Sequence, residues 1–153
     1  MTLDKEQSQQ LEKMDHLMEV FFRYKNKLID HYYKERSFKL NSTKIHMLVM
    51  IYRSGKCMAV DIARQLSLTT GATTIMLNQL EADGLISRER SDKDRRMVWI
   101  SLTEEGVEKA QIIIGIRNQL NADMLDSLTK EEQQIFFQLL GKIETRLGSE
   151  MKE

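Results

Sequence analysis

The chain has 153 residues, of which 41% are apolar, with no proline and seven glycines; this composition favours one largely helical domain and excludes a disordered chain. A single cysteine excludes an internal disulfide framework, and we expect a cytoplasmic protein because the N-terminus lacks a secretory signal and no apolar run could span a membrane. The net charge is zero, but residues 21–64 hold ten basic and three acidic side chains between acidic ends, which fits a polyanionic partner or an ordinary solvated surface.

The N-terminal part of the chain is predicted to form one long helix over residues 8–36. Leu11, Met14, Leu17 and Met18 begin an apolar stripe that recurs at spacings of three, four and seven residues. A helix of this length exceeds the diameter of a small domain, so we expect it to pack along an extended partner such as a second copy of itself.

The middle of the chain is predicted to contain three shorter helices followed by a β-hairpin. The helices cover residues 42–53, 60–66 and about 70–83; Thr69 caps the third, and Gly84 ends it in a left-handed conformation. Residues 85–90 and 97–102 alternate as strands do, and the charged turn SDKDRR joins them.

Two helices are predicted after the hairpin. Thr103 is a suitable N-cap for a helix that ends between residues 123 and 125, and the sequence Thr129-Lys130-Glu131-Glu132 is a capping box for the last helix. The complete order is mainly α with a small β-hairpin wing, and it is typical of a winged helix-turn-helix, in which the second short helix enters the major groove of DNA.

Two motifs in this region resemble the MarR (multiple-antibiotic-resistance regulator) family of bacterial transcription factors. They lie in LSLTTGATTIMLNQLEADGLI and in the following RERSDKDRRMVWISLTEEG, with matching spacing. The motif residues are Leu80, Glu81, Gly84, Leu85, Ile86, Asp94, Arg95, Arg96, Leu102, Thr103 and Gly106.

The resemblance implies a single MarR-type domain over residues 1–153. Residues 8–36 and 103–147 would be dimerisation helices, and residues 40–102 would be the winged helix-turn-helix DNA-binding module. It further implies a homodimeric repressor of a near-palindromic double-stranded DNA operator, modulated by a small-molecule effector.

The candidate DNA-binding residues lie on the third short helix, in the wing and at nearby basic positions. The full set is Lys44, Arg64, Thr69, Thr70, Thr73, Thr74, Asn78, Arg88, Lys93, Asp94, Arg95 and Arg96. Threonine and asparagine can contact phosphates and base edges, although polar helix faces are often simply solvated. No lysine or arginine occurs between Gln65 and Ser87, and Ile75 stands where many family members carry arginine.

The wing tip supplies the strongest of these candidates. The resemblance assigns Arg96 to the minor groove, where a guanidinium is favoured by the enhanced negative potential, and assigns Asp94 to hold the Arg96 side chain through a charge-assisted hydrogen bond. Arg95 and Lys93 are expected to reach phosphate or solvent. The alternative for the Asp94–Arg96 pair is an exposed ion pair with little energetic weight.

A second set of residues concerns ligands. Tyr24, His31, Tyr32 and His46 are candidates for an effector pocket, although aromatic residues at helical spacing also build cores. Cys57 fits a buried small hydrophobe better than a redox switch. The three histidines lack metal-ligand spacing, and no catalytic motif is present, so we expect no metal, no cofactor and no enzyme. The main alternative is a winged-helix protein-interaction module that has lost DNA binding.

Overall fold

The computed structural model describes residues 4–32, 40–94 and 96–150, apart from the side chains of Tyr32 and Glu150. The elements in chain order are α1 (Lys5–Tyr32), α2 (Ser42–Ser54), β1 (Lys56–Cys57), α3 (Ala59–Gln65), α4 (Thr70–Ala82), β2 (Ile86–Arg90), β3 (Val98–Leu102), α5 (Glu104–Leu125) and α6 (Lys130–Glu150). The predicted fold class, mainly helical with a small β-hairpin wing, is confirmed. Two compact units are formed, residues 1–116 and residues 117–153.

The core of the first unit is centred on α2. Asn41 caps this helix by accepting a hydrogen bond from the backbone N–H of Lys44 at 2.9 Å, and Gly55 ends it with a φ of +71°. Five consecutive residues, Met47–Ile51, are buried, so α2 is surrounded by other elements rather than lying on the surface. The largest side chains below 2% exposure are Met47, Leu48, Ile51, Ile62, Leu77, Leu80, Leu85, Ile100 and Thr73.

A three-stranded antiparallel sheet in the order β1-β3-β2 supports the hairpin. β3 is central: Ile100 is paired with Cys57 on one side and with Arg88 on the other. The sequence did not predict β1, because two residues are too few to show alternation and form a strand only against β3. The third strand gives one edge of the hairpin a partner.

The start of α5 is joined directly to the end of the α4–β2 segment. The Thr103 hydroxyl accepts a hydrogen bond from the backbone N–H of Gly106 at 3.1 Å and donates one to the carbonyl oxygen of Gly84 at 2.6 Å, so the predicted N-cap is confirmed. A Cβ at position 106 would overlap the carbonyl oxygen of Leu85. This close approach explains why glycine follows Leu102-Thr103 at that spacing.

α1 begins at Lys5, three residues earlier than predicted, because Asp4 caps it: the backbone N–H of Gln7 donates to the Asp4 carboxylate at 2.7 Å. Residues 33–36 of the predicted helix lie outside the described part of the chain. The first part of the predicted apolar stripe is exposed, since Leu11, Met14, Leu17 and Met18 are between 48% and 60% exposed. The neighbouring Phe22, which the pattern did not include, is 60% exposed.

α6 dominates the second unit. Its predicted capping box is confirmed, since the backbone N–H of Thr129 donates to the Glu132 carboxylate at 2.8 Å and the Thr129 hydroxyl accepts from the Glu132 backbone at 3.3 Å. Its large apolar residues are also exposed by 41% to 60%: Ile135, Phe137, Leu139, Leu140, Ile143 and Leu147. None of the described helices combines the length and apolarity that crossing a membrane requires.

Candidate nucleic-acid interface

The helix-turn-helix consists of α3, a short turn and α4. α3 begins where the backbone N–H of Met58 donates to the Asp61 carboxylate at 3.1 Å. In the turn, Ser67 has a φ of +51°, and the backbone N–H of Leu68 returns to the carbonyl oxygen of Ala63 at 2.9 Å. Thr69 then caps α4 as predicted, accepting from the backbone N–H of Ala72 at 3.2 Å. These bonds fix the direction in which α4 leaves the turn.

One face of α4 is exposed and carries three of the candidate residues, Thr70, Thr74 and Asn78. Thr70, Thr74, Ile75 and Asn78 lie on this face, and Leu77 and Leu80 lie on the opposite, buried side. A helix with one buried and one open face can place the open face against a ligand without disturbing the core.

Thr73 is a correction to the predicted site. Its side chain is 1% exposed, and its hydroxyl donates to the carbonyl oxygen of Thr69 at 2.9 Å. It therefore belongs to the buried side of α4 with Leu77 and Leu80, and it cannot contact a ligand in this conformation. Its spacing of four and seven residues from those leucines already indicated the buried side.

Arg88 connects the wing to α4. One guanidinium nitrogen donates to the Asn78 side-chain oxygen at 2.9 Å, and another lies 3.1 Å from the Glu81 carboxylate. Two predicted DNA-binding residues thus bind each other, and Glu81 was not expected to take part. Because the guanidinium offers several donors in one plane, it can hold two side chains of a helix from a neighbouring strand.

The wing tip is ordered by main-chain and side-chain hydrogen bonds. The backbone N–H of Ser91 donates to the carbonyl oxygen of Met97, and that of Met97 donates to the carbonyl oxygen of Asp94, both at 2.9 Å. The Ser91 hydroxyl also accepts from the backbones of Lys93 and Asp94 at 3.3 and 3.4 Å, a role that the sequence reasoning missed.

Asp94 acts differently from the expectation. Its carboxylate accepts a hydrogen bond from the backbone N–H of Arg96 at 3.0 Å, so it orders the main chain of the turn and not the guanidinium. The side chains of Lys93 and Arg96 are exposed. Arg95 lies outside the described residues.

The remaining basic candidates lie on other helices. Lys44 is half-buried in the first turn of α2, and Arg64 lies near the end of α3 with its side chain 76% exposed, at the 4.0 Å limit of an ion pair with Asp61. An exposed ion pair of this length contributes little stability, which leaves the Arg64 guanidinium able to exchange Asp61 for another anion.

Among the residues that the structure describes, no cavity is lined by the predicted effector residues together. Tyr24 is half-buried and His31 is exposed on α1, His46 is exposed on α2, and the side chain of Tyr32 lies outside the description. Open grooves follow single helices instead. One is lined by Met18, Glu19, Phe22 and Arg23, and another by Glu108, Gln111, Ile112, Gly115 and Ile116.

Cys57 is 5% exposed on β1. Burial, together with the negative charge of Asp61, raises the pKa of its thiol from 9.0 to about 11. The thiolate is the reactive form, so these surroundings favour an inert thiol over a redox switch. Within residues 4–32, 40–94 and 96–150, no three histidine, cysteine or acidic residues are grouped as metal ligands.

Comparison with known proteins agrees with this architecture. Residues 40–98 match the profile of the MarR family. The chain is 40% identical over 104 residues to the HTH-type transcriptional regulator YwhA of Bacillus subtilis (strain 168), covering 68% of this chain and 75% of the relative. It is 28% identical over 124 residues to the HTH-type transcriptional repressor YetL of the same organism, covering 80% and 74%.

Solved structures share the fold. Streptococcus pneumoniae FabT, solved in complex with DNA, superimposes with a TM-score of 0.78 at 22% identity, covering 91% of this chain and 97% of FabT. The reduced form of MarR from E. coli gives a TM-score of 0.62 at 24% identity, covering 84% and 94%. The helix-turn-helix, the wing and these relationships together lead to one conclusion: the chain belongs to the MarR family of transcriptional regulators.

Proposed function

We propose that this regulator binds a near-palindromic double-stranded DNA operator as a homodimer and represses transcription from it. Residues 40–102 would be the DNA-binding module, with α4 in the major groove and the β2–β3 wing beside it. The observation that carries the proposal is the exposed face of α4, held in a fixed relation to the wing by the contacts of Arg88 with Asn78 and Glu81. A rigid connection of this kind lets both elements meet one duplex in register.

The exposed apolar stripes of α1 and α6 support the homodimer. Side chains such as Met18, Phe22 and Leu147, each 60% exposed, are costly to leave in water, and large exposed apolar patches mark interaction surfaces. Residues 8–36 and 103–147 would supply this interface to a second copy. A two-fold dimer would then place its two α4 helices on half-sites roughly 34–36 Å apart.

Repression and control by a small ligand rest on relatedness. YetL is named a repressor, and FabT was solved on DNA. A ligand that binds one spacing of the two modules better than another would shift the population away from the DNA-binding arrangement. Tyr24, His31, Tyr32 and His46 remain the proposed lining of the effector site.

The test is selection of bound fragments from the DNA upstream of the protein's own gene, at two salt concentrations. We expect an enriched palindrome and an affinity that falls steeply as salt rises, because phosphate contacts release counterions. Asn78→Ala should change the enriched sequence, while Asn118→Ala, which truncates an exposed asparagine of α5 outside residues 40–102, should not. If neither this DNA nor fragments of the whole genome yield an enriched sequence, the proposal is contradicted.

One observation favours a second candidate, a protein-interaction module. α4 carries no basic residue, and Ile75 is 59% exposed on it. Such a face could serve a protein partner in place of DNA. Partner binding that needs no DNA and is insensitive to salt, together with the loss of operator selection, would support this candidate over the first.

A further inference from the structure

The exposed face of α4 has an apolar centre. Ile75 is 59% exposed, and one turn earlier Gly71 has nothing within 4 Å of the position that a Cβ would occupy. Side chains on a helix lean toward its N-terminus, so the Ile75 side chain projects over a glycine that offers no side chain of its own. The result is a small apolar surface with open space in front of it.

Two polar side chains beside this surface already make one hydrogen bond each within the protein. The Thr74 hydroxyl donates its only hydrogen to the carbonyl oxygen of Thr70 at 2.8 Å, and the side-chain oxygen of Asn78 accepts from Arg88 at 2.9 Å. One of the two acceptor positions on the Asn78 oxygen is therefore occupied, which restricts how this side chain can make a bidentate contact with adenine. The apolar groups that the centre of this face offers a ligand are the Ile75 side chain and the methyl group of Thr74.

The major groove presents one apolar group, the C5-methyl of thymine. We propose that Ile75 is a specificity-determining residue that contacts a thymine C5-methyl group in each half-site, with the Thr74 methyl beside it. This inference rests on the proposed DNA-binding function and deepens it, because it names the base feature that α4 distinguishes. The absence of lysine and arginine from α4 then reflects a readout through shape and apolar contact.

The test measures the affinity for the selected operator made with thymine and with uracil, which lacks only the methyl group. Wild-type protein should bind the uracil duplex about fourfold more weakly for each contacted methyl, the effect of exposing one buried carbon group. Ile75→Ala should bind the thymine duplex more weakly and show no further loss with uracil. Because both proteins meet the same two duplexes, any change in DNA shape cancels in the comparison.

Val60→Ala is the matched control, since Val60 is a comparably exposed apolar residue, 53% exposed, on the preceding helix. This variant should keep the full difference in affinity between the thymine duplex and the uracil duplex. The inference would be overturned if uracil lowered the affinity of wild type and Ile75→Ala equally, or if it did not lower the affinity of wild type at all. Either outcome would leave operator binding itself intact. Failure to select any operator would overturn the proposed function itself, so the two outcomes are distinguishable.

Discussion

Residues 40–102 and the two long helices α1 and α6 differ in how far their large apolar side chains are exposed. In residues 40–102, side chains such as Leu48, Ile62, Leu80 and Ile100 are at most 1% exposed. On α1 and α6, side chains of the same kind, such as Met18 and Leu147, are 60% exposed. Residues 40–102 bury large apolar side chains in one core, to which α5 adds Ile113, whereas α1 and α6 leave an apolar surface open.

The difference supports the proposed division of tasks between the two regions. A segment that buries its own core can present a polar, ordered face to a ligand while staying folded, whereas a helix with an exposed apolar stripe is stabilised by whatever covers it. Changes in the long helices should therefore alter assembly, and changes in residues 40–102 should alter folding or DNA affinity.

The largest effect is expected from placing charges in the α1 stripe. Met14 and Met18 lie one turn apart and are 55% and 60% exposed. The double substitution Met14→Glu/Met18→Glu puts four carboxylates into the proposed dimer interface, where unpaired charge is costly. We expect the dimer dissociation constant to rise more than about 100-fold, or about 2.7 kcal/mol, measured by sedimentation equilibrium.

The matched control adds the same number of carboxylates to the opposite side of α1. Gln9→Glu/His16→Glu changes two exposed residues away from the stripe. It should leave the dimer constant within a few-fold of wild type. If both variants dissociate equally, or neither does, α1 does not form the interface.

Where α5 meets residues 40–102, Gly106 should be the most sensitive glycine. Gly106→Ala forces a Cβ against the carbonyl oxygen of Leu85, so α5 or the end of α4 must move. We expect a loss of about 1–3 kcal/mol in the free energy of unfolding, measured by urea denaturation. Gly115→Ala, on the same helix with open space around it, should instead stabilise by up to about 1 kcal/mol. If both substitutions changed the free energy of unfolding by the same amount and in the same direction, the close approach at Gly106 would have no energetic consequence.

Operator affinity should depend on Arg96 more than on an ordinary arginine. Arg96→Ala removes an exposed guanidinium at the wing tip and should weaken operator binding by about 1–3 kcal/mol, measured by fluorescence anisotropy. Arg53→Ala, an exposed arginine in the last turn of α2, should have a clearly smaller effect. Unchanged affinity for Arg96→Ala would remove Arg96 from the proposed interface.

Asp94 provides a finer test of the same turn, because it holds the main chain at Arg96. Asp94→Ala should weaken operator binding, while Asp94→Asn keeps an acceptor for the Arg96 backbone N–H and should retain most of the affinity. If the two variants behave alike, the carboxylate acts through its charge and not through the geometry of the turn.

The smallest effect concerns pH and Cys57. The pKa of its thiol is 9.0 in the unfolded chain and about 11 in the folded protein. The stabilising contribution of the neutral thiol to the free energy of unfolding is therefore complete below pH 9 and is lost as the pH rises toward 11. The difference in unfolding free energy between wild type and Cys57→Ala should be constant from pH 7 to 8.5 and should shrink above pH 9. A difference that does not change up to pH 11 would contradict the burial-induced shift.

Short-range signals in the sequence predicted most of the fold. The caps at Thr69, Thr103 and Thr129, and the left-handed Gly84, depend on neighbours within four residues, and the structure contains each of them. The strand β1 was missed because the strand it pairs with, β3, lies more than forty residues away. Local patterns identify an element only where the element's stability is local.

The candidate site was predicted less completely, for the same reason. Thr73 was assigned by its polar chemistry, although its spacing from Leu77 and Leu80 places it in the core. The bridge from Arg88 to Asn78 and Glu81 depends on how β2 returns beside α4, which no local pattern encodes. The acceptor role of Asp94 toward the Arg96 backbone depends on the turn geometry and not on the pair of charges.

The most direct test of the central claim is sedimentation velocity of the wild-type protein with duplexes carrying one full operator or one half-site. We expect the free protein at twice the chain mass, a complex of two chains on the full operator, and much weaker binding to the half-site. A monomer that binds the half-site as tightly as the full operator would contradict the division of tasks between the long helices and residues 40–102.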